Sequence, residues 1–273
     1  NSISGLNDPI DVSFNARRDL YITDKAENAI KIYDQKLGWK KSIKADFIRK
    51  PSGIIVVDPA DTWHYYKEGF IVFINKEGTE LVKMSLDNSL LKSLDVAGVA
   101  GRNVKLEYLT ADYYSQILVT DSLNSTIHKF DRDLNYVTSF GRYGADDYEF
   151  IKPTGIDIWR RFGQIFVTEE TGGQYYWTGI DIKDLKVRTT ASNCRVSYRL
   201  TEPAIMNMAL FEKKRLVRTV QSNVTLLRYQ NQFTFPWPAQ AEKKEGKGYT
   251  LKISATATYS SRKVFRKVIE KKL

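Results

Sequence analysis

Short apolar runs alternate with polar turns through the first part of the chain, and the runs repeat. Tyr21-Ile22-Thr23-Asp24 followed by Ile30-Lys31-Ile32-Tyr33-Asp34 returns as Leu118-Val119-Thr120-Asp121 followed by Ile127-His128-Lys129-Phe130-Asp131. Looser copies stand at Val72-Phe73-Ile74-Asn75 and Ile165-Phe166-Val167-Thr168-Glu169. The anchors Asp24, Asn75, Asp121 and Glu169 are 51, 46 and 48 residues apart. The runs are rich in β-branched and aromatic residues and are bounded by Gly, Asn and Asp, which marks them as strands. Repeats of about 40–50 residues built from short strands predict the blades of a β-propeller. An Asp or Asn closing each strand can accept hydrogen bonds from the next turn, so the four anchors are expected to be structural turn caps.

One blade boundary is more specific. Ser139-Phe140-Gly141-Arg142-Tyr143-Gly144, then Tyr148-Glu149-Phe150, then Lys152-Pro153-Thr154-Gly155-Ile156-Asp157-Ile158 resembles the blade junction of the NHL-repeat family. Pro9-Ile10-Asp11-Val12 and Pro51-Ser52-Gly53-Ile54 resemble the start of the same strand. The resemblance covers residues 1–186 and implies an NHL-type propeller with about four recognisable blades, either an unusually small ring or an incomplete one whose further blades come from elsewhere. Blade two carries an insertion, Asp58 to Tyr66, and blade four runs on through Gly172-Gly173-Gln174-Tyr175-Tyr176-Trp177. Open blade edges need a covering partner.

From residue 187 the alternation changes to longer strands, as in Leu251, Ile253 and Ala255 set against Lys252, Ser254 and Thr256. Half-exposed sandwich sheets alternate in this way. Arg195-Val196-Ser197-Tyr198, Phe233-Thr234-Phe235-Pro236-Trp237 and Gly248-Tyr249-Thr250-Leu251 resemble the immunoglobulin-like domain of the flagellar hook-capping protein (FlgD-like). The family's usual Trp-Asp-Gly is replaced by Trp237-Pro238-Ala239. The expected architecture is all-β, with a propeller over 1–186 and an Ig-like β-sandwich over 187–273.

Charge divides along the same line. Residues 187–273 hold 18 Lys or Arg against 5 Asp or Glu, whereas residues 1–186 hold 24 against 27. The last strand gathers Arg262, Lys263, Arg266, Lys267, Lys271 and Lys272, a candidate basic docking surface. Its apolar residues do not alternate cleanly, so a frayed, charged end is expected. An acidic protein, an anionic envelope polymer or a lipid headgroup layer suits that surface. Nucleic-acid binding through it is a third, less favoured reading, because the propeller half is slightly acidic. No apolar stretch reaches the roughly 18 residues of a membrane-spanning helix. Asn1 is read as a mature start with any export signal removed, which implies a periplasmic or cell-surface location. The single cysteine, Cys194, excludes an intrachain disulfide and is expected to be an inert thiol in the first strand of the sandwich.

Catalytic chemistry has few pieces to work with. The chain has two histidines, and no nucleophile elbow, P-loop, dinucleotide fingerprint or HExxH. His128 falls on the polar side of its strand and His64 lies in the insertion, so neither supplies a histidine-rich metal site. No cofactor is expected, although a structural calcium held by channel carboxylates and carbonyls stays open. The candidate binding residues are Trp63, His64, Tyr65 and Tyr66 in the insertion, with Tyr175, Tyr176 and Trp177 in blade four. Large rings on loops of a rigid scaffold serve either recognition or packing between blades. These features imply a non-catalytic scaffolding subunit of a bacterial envelope assembly that binds other protein subunits. The rival is a metal-dependent propeller lyase or hydrolase with a channel site.

Overall fold

The computed structural model describes residues 2–177, 179–237, 248–258 and 265–273. The chain forms two compact units, which divide between residues 177 and 178.

The first unit is a succession of antiparallel meanders. Blade one comprises β1 (Pro9–Phe14), β2 (Leu20–Asp24), β3 (Ala29–Tyr33) and β4 (Trp39–Ile43). Blade two comprises β5 (Ile54–Val57), β6 (Phe70–Asn75), β7 (Glu80–Ser85) and β8 (Leu90–Asp95). A one-turn helix, α1 (Val96–Ala100), leads on to β9 (Leu106–Ala111), β10 (Ile117–Asp121), β11 (Thr126–Phe130) and β12 (Tyr136–Phe140) of blade three. A short parallel pair, β13 (Arg142–Tyr143) and β14 (Glu149–Phe150), precedes the three-stranded fourth sheet of β15 (Ile156–Trp159), β16 (Gln164–Glu169) and β17 (Gly172–Trp177). The first strands lie side by side, β1 against β5, β5 against β9 and β9 against β15. Meanders set around their first strands are β-propeller blades.

Each interface between blades is apolar. Ile30 and Ile32 pack on Ile54, Val56, Ile71 and Phe73, while Ile55, Val72 and Ile74 pack with Leu109, Ile117 and Val119. Leu118 and Ile127 meet Ile158, Ile165 and Val167. With both faces covered, β3, β6, β10 and β11 are buried at every position. This corrects the placement of His128 on a polar outer face, since it is 1% exposed in β11.

The Pro-x-Gly motif has a steric cause. A Cβ on Gly53 would lie 3.0 Å from the Glu107 carbonyl oxygen, and one on Gly155 would lie 2.6 Å from Thr168 Oγ1. The glycine at 155 lets that hydroxyl accept its N–H at 2.9 Å. Thr23 and Thr120 do the same work at irregularities in the ladder, accepting from the N–H groups of Asp11 and Tyr108 at 3.1 Å.

The four anchors sit at the ends of β2, β6, β10 and β16. Asp24 accepts from the N–H groups of Asn7, Asp8 and Glu27. Asn75 accepts from the Arg49 N–H and donates to the Phe47 carbonyl. Asp121 accepts from the N–H groups of Lys105, Leu123 and Asn124, and Glu169 from that of Ile151. Each also holds a side chain of the next strand: Lys31 for Asp24, Glu80 for Asn75, His128 for Asp121 and Gln174 for Glu169. The anchor therefore ties the lead-in of the first strand to the start of the third. Buried polar groups require such satisfaction.

Asp24, Glu80 and Asp121 give the first unit a defined acid limit. Burial pushes each carboxyl up, but hydrogen bonds outweigh it and hold all three below the usual carboxylate range. Lys31 acts on Asp24, Lys76 on Glu80 and His128 on Asp121. A carboxyl lowered by folding contributes stability above its unfolded pKa and loses that contribution as pH falls through the folded value. Stability in chemical denaturation should therefore hold at neutral pH and fall steeply below about pH 4. A flat profile down to about pH 2 would contradict this account.

The second unit packs two antiparallel sheets around one core. One sheet orders β18 (Ile182–Thr189), β19 (Asn193–Leu200) and β22 (Gln230–Pro236). The other orders β21 (Arg215–Leu226), β20 (Ala204–Glu212), β23 (Tyr249–Ala257) and β24 (Arg266–Lys272). Cys194, Val196, Tyr198 and Leu200 face Met206, Met208, Leu210, Leu251 and Ile253 across the core. The unit begins before the boundary expected after Lys186, because β18 pairs along β19 and carries Ile182 into this core. Cys194 accordingly lies in the second strand. It is fully buried, and burial pushes its thiol up to about 11.

The last strand is not frayed. β24 pairs with β23 throughout, with Ile253 opposite Ile269. Arg266 donates to Ser254 and Lys267 pairs with Asp181 at 3.0 Å. Pairing in β24 sets Arg266 and Lys272 on one face and Lys267 and Lys271 on the other. Arg262, Lys263, Pro238 and Ala239 lie outside the described residues.

Candidate functional site

The inner strands surround a cavity of about 480 Å³ on the axis of the first unit, with Asp11, Ser13, Ile54, Val56, Tyr108, Thr110 and Asp157 on its wall. Much of this polar lining ties one blade to the next. Asp11 accepts from the Ile54 N–H at 2.9 Å and Ser13 from the Val56 N–H at 3.0 Å. The Thr110 hydroxyl donates to Asp157 Oδ1 at 3.2 Å, and Arg160 Nε donates to the Ala111 carbonyl at 3.0 Å. Burial raises the Asp11 carboxyl above the usual range even though two N–H groups, those of Ile54 and Val12, donate to it.

The blade-two insertion forms one side of the mouth. Its Asp61 accepts from the Trp63 N–H through Oδ1 and binds Arg160 through Oδ2 at 2.8 Å. Asp58 accepts from the N–H of Ala16 in blade one. Tyr65 donates its N–H to the Tyr113 carbonyl at 2.7 Å, and its ring lies 5.3 Å from that of Tyr114. The insertion is thus bound to blades one, three and four, at the end of the propeller that carries the loops between first and second strands.

The seven candidate aromatic and histidine residues divide. Trp63 and Tyr65 are 46% and 45% exposed, and Tyr175 is 57% exposed. Trp177 is at the edge of exposure, while Tyr66 and Tyr176 are half-buried. Tyr66 lies under Arg132, 4.0 Å from its guanidinium, and Tyr176 packs with Phe140, Tyr148 and Phe150. His64 is 1% exposed and so offers no surface to a partner. The two groups are also separate: Trp63 and Tyr65 stand on the blade-two insertion, whereas Tyr175 and Trp177 lie on the outer strand of blade four. On that sheet Trp159, Phe166 and Tyr175 share the face opposite the one packed on blade three. Trp159, at 60% exposure, was not legible as a candidate, because a lone Trp ending a strand carries no motif.

His64 belongs to a buried chain of groups. Its Nδ1 lies 3.2 Å from Ser115 Oγ and its Nε2 lies 3.7 Å from Asp61 Oδ2. Burial and the Arg160 charge hold the imidazole down at about 4, so it is neutral at pH 7. The order Ser–His–Asp is that of a hydrolytic triad, but the accessibility is not. Ser115 is 1% exposed and Asp61 Oδ2 is committed to Arg160, so a carbonyl substrate has no path to the hydroxyl. The cluster locks the insertion onto blade three.

Among the described residues, no group of three or more His, Cys, Asp or Glu side chains is placed to hold a metal ion. No helix among them is long and apolar enough to cross a membrane.

No family model matches the chain, and no curated protein is similar to it. Solved structures are similar at a distance. A YCF48 protein bound to a D1 peptide shares 12% identity over 61% of this chain, with a TM-score of 0.45, and the chain spans about half (49%) of that protein. Virginiamycin B lyase from Staphylococcus aureus shares 12% identity over 97% of this chain and 80% of its own, with a TM-score of 0.42. The propeller assignment stands on the strand topology of this chain.

Proposed function

We propose that the chain is a non-catalytic recognition and scaffolding subunit of a bacterial periplasmic or cell-surface assembly. In this reading an NHL-type propeller presents its insertion face to a protein partner, and a FlgD-like Ig-like sandwich docks through its positive charge. The observation that carries it is the insertion itself. The connection between β5 and β6 runs over twelve residues, 58–69, more than a hairpin needs, and Asp61, His64 and Tyr65 tie it to neighbouring blades while leaving Trp63 and Tyr65 exposed. Preorganised aromatic side chains on an immobile loop lose little entropy on binding, which suits recognition. The strand order of the second unit, with its fourth strand on the third rather than the fifth, supports a sandwich of the fibronectin and Ig-like class. The excess of basic residues there favours an acidic or anionic surface.

Site-specific photo-crosslinking in the source cell tests the reading. A crosslinker at Tyr65 should trap a discrete protein partner. One at Leu123, 60% exposed in the turn at the opposite end of blade three, should trap none. Equal trapping at both positions, or none at either, would overturn it.

A further inference from the structure

A second concavity, of about 420 Å³, opens beside the axial cavity and is lined by Trp63, Asp157, Ile158, Trp159, Arg160 and Arg161. We propose that this pocket binds an acidic saccharide, a pyranose ring bearing a carboxylate.

Three observations specify the ligand. The first is a pair of exposed indoles. Trp63 comes from the blade-two insertion and Trp159 from the end of β15, and they are 46% and 60% exposed. Trp159 meets Phe162 edge-on at 4.7 Å, and the backbone N–H of Trp63 donates to Asp61 Oδ1, which fixes the chain that carries this indole. Indoles with an apolar face and a polar edge suit a ligand that is itself apolar on one face and polar around its rim. A pyranose has that form, with axial C–H bonds on its faces and hydroxyls at its perimeter.

The second is an uncommitted cation. Arg160 is taken up by Asp61 and the Ala111 carbonyl. Arg161 instead lies over the rings of Phe162 and Trp63, at 5.2 and 5.9 Å, and no carboxylate pairs with it among the described residues. A guanidinium fixed on aromatic faces keeps its N–H fork free for a bidentate carboxylate.

The third is an acceptor. Oδ1 of Asp157 takes the Ile158 N–H and the Thr110 hydroxyl. Oδ2 has no hydrogen bond among the described residues, and the side chain is exposed to the pocket, where hydroxyl groups can donate to it. One cation and one anion at the same wall match a hydroxylated ring that carries one carboxylate. A uronate ring brings one negative charge near Asp157 where a phosphate dianion brings two, which favours a uronate over a nucleotide.

The test is direct titration of the full chain with trigalacturonate, trimannuronate and a hyaluronan tetrasaccharide, followed by calorimetry and tryptophan fluorescence. At least one should bind at millimolar concentration or below and perturb the indole emission. Its methyl ester, neutral but of the same shape, should bind about tenfold more weakly, since charge-assisted hydrogen bonds are lost. Arg161→Gln should reproduce that loss for the acid and leave the ester unaffected. Trp63→Ala and Trp159→Ala should abolish binding of both, with the thermal midpoint of each exposed-site variant unchanged. Failure of all three acidic sugars to bind, or binding indifferent to these residues, overturns the proposal. So does capture of uridine monophosphate or an acidic peptide in their place by the same side chains. None of these results bears on the crosslinking at Tyr65, so the saccharide site and the protein platform stand or fall separately.

Discussion

Asp24→Ala should destabilise the first unit by about 3–5 kcal/mol, the cost of removing one member of a buried ion pair. The carboxylate is fully buried and lies 2.8 Å from Lys31 Nζ, itself 4% exposed along its side chain. Three backbone donors, from Asn7, Asp8 and Glu27, lose their acceptor together. Lys31 keeps Glu27 and the Gly5 carbonyl, so the charge is not wholly stranded. Lys31→Met should cost less than Asp24→Ala, because the carboxylate retains its backbone donors when the ammonium is removed. The double variant should be less destabilised than the two single changes added together, since no unpaired charge remains. Equilibrium denaturation of the four proteins measures the coupling. A loss below about 1 kcal/mol for Asp24→Ala, the range of an exposed pair, would show that the anchor is not a structural tie.

Trp237→Ala should have an effect of the same size in the second unit. The indole is 4% exposed, meets Phe235 edge-on at 6.0 Å and donates Nε1–H to the Thr190 carbonyl at 2.9 Å. Truncation opens a large cavity between the sheets, at about 3–5 kcal/mol for a buried aromatic. Trp237→Phe keeps most of the packing and loses the hydrogen bond, so it should cost about 1–2 kcal/mol. Amide exchange in β19 and β22 reports the difference locally. Equal losses for Ala and Phe would mean that the hydrogen bond, rather than the ring volume, holds this corner.

The strand grammar was readable because each blade repeats the same demand: an apolar run for its neighbour and a terminal acceptor for the turn. Burial was not readable from the same pattern. Alternation assigns polar residues to solvent only when a sheet has one wet face. In blades covered on both sides, Lys31, Lys83 and His128 are drawn inward. Asp24 and Asp121 receive Lys31 and His128 seven residues on, and Lys83 reaches the Arg132 carbonyl of blade three. The domain boundary was missed for a related reason. Strands β17 and β18 alternate alike and only a few residues separate them, so no change of pattern marks the place where one core ends. The site was half legible. The insertion announced itself as a break in the repeat, but which rings faced outward depended on Asp61, Ser115 and Arg160, partners remote in sequence.

The anchors and meanders of the first unit also govern how far the chain must travel to make its contacts. β2 meets β3 across residues 25–28, and most blade pairings are hairpins of that kind. In the second unit β19 meets β22 across residues 201–229, and β20 meets β23 across 213–248. Closing a loop costs entropy that rises with its logarithm, and it must be met before the pairing is gained. Contacts made nearby in sequence form early, and distant ones limit the rate of folding. Strand pairing in the larger unit is thus the more local in sequence, and the long-range strand pairings fall within the smaller, while the contacts between blades reach as far as Asp61 to Arg160.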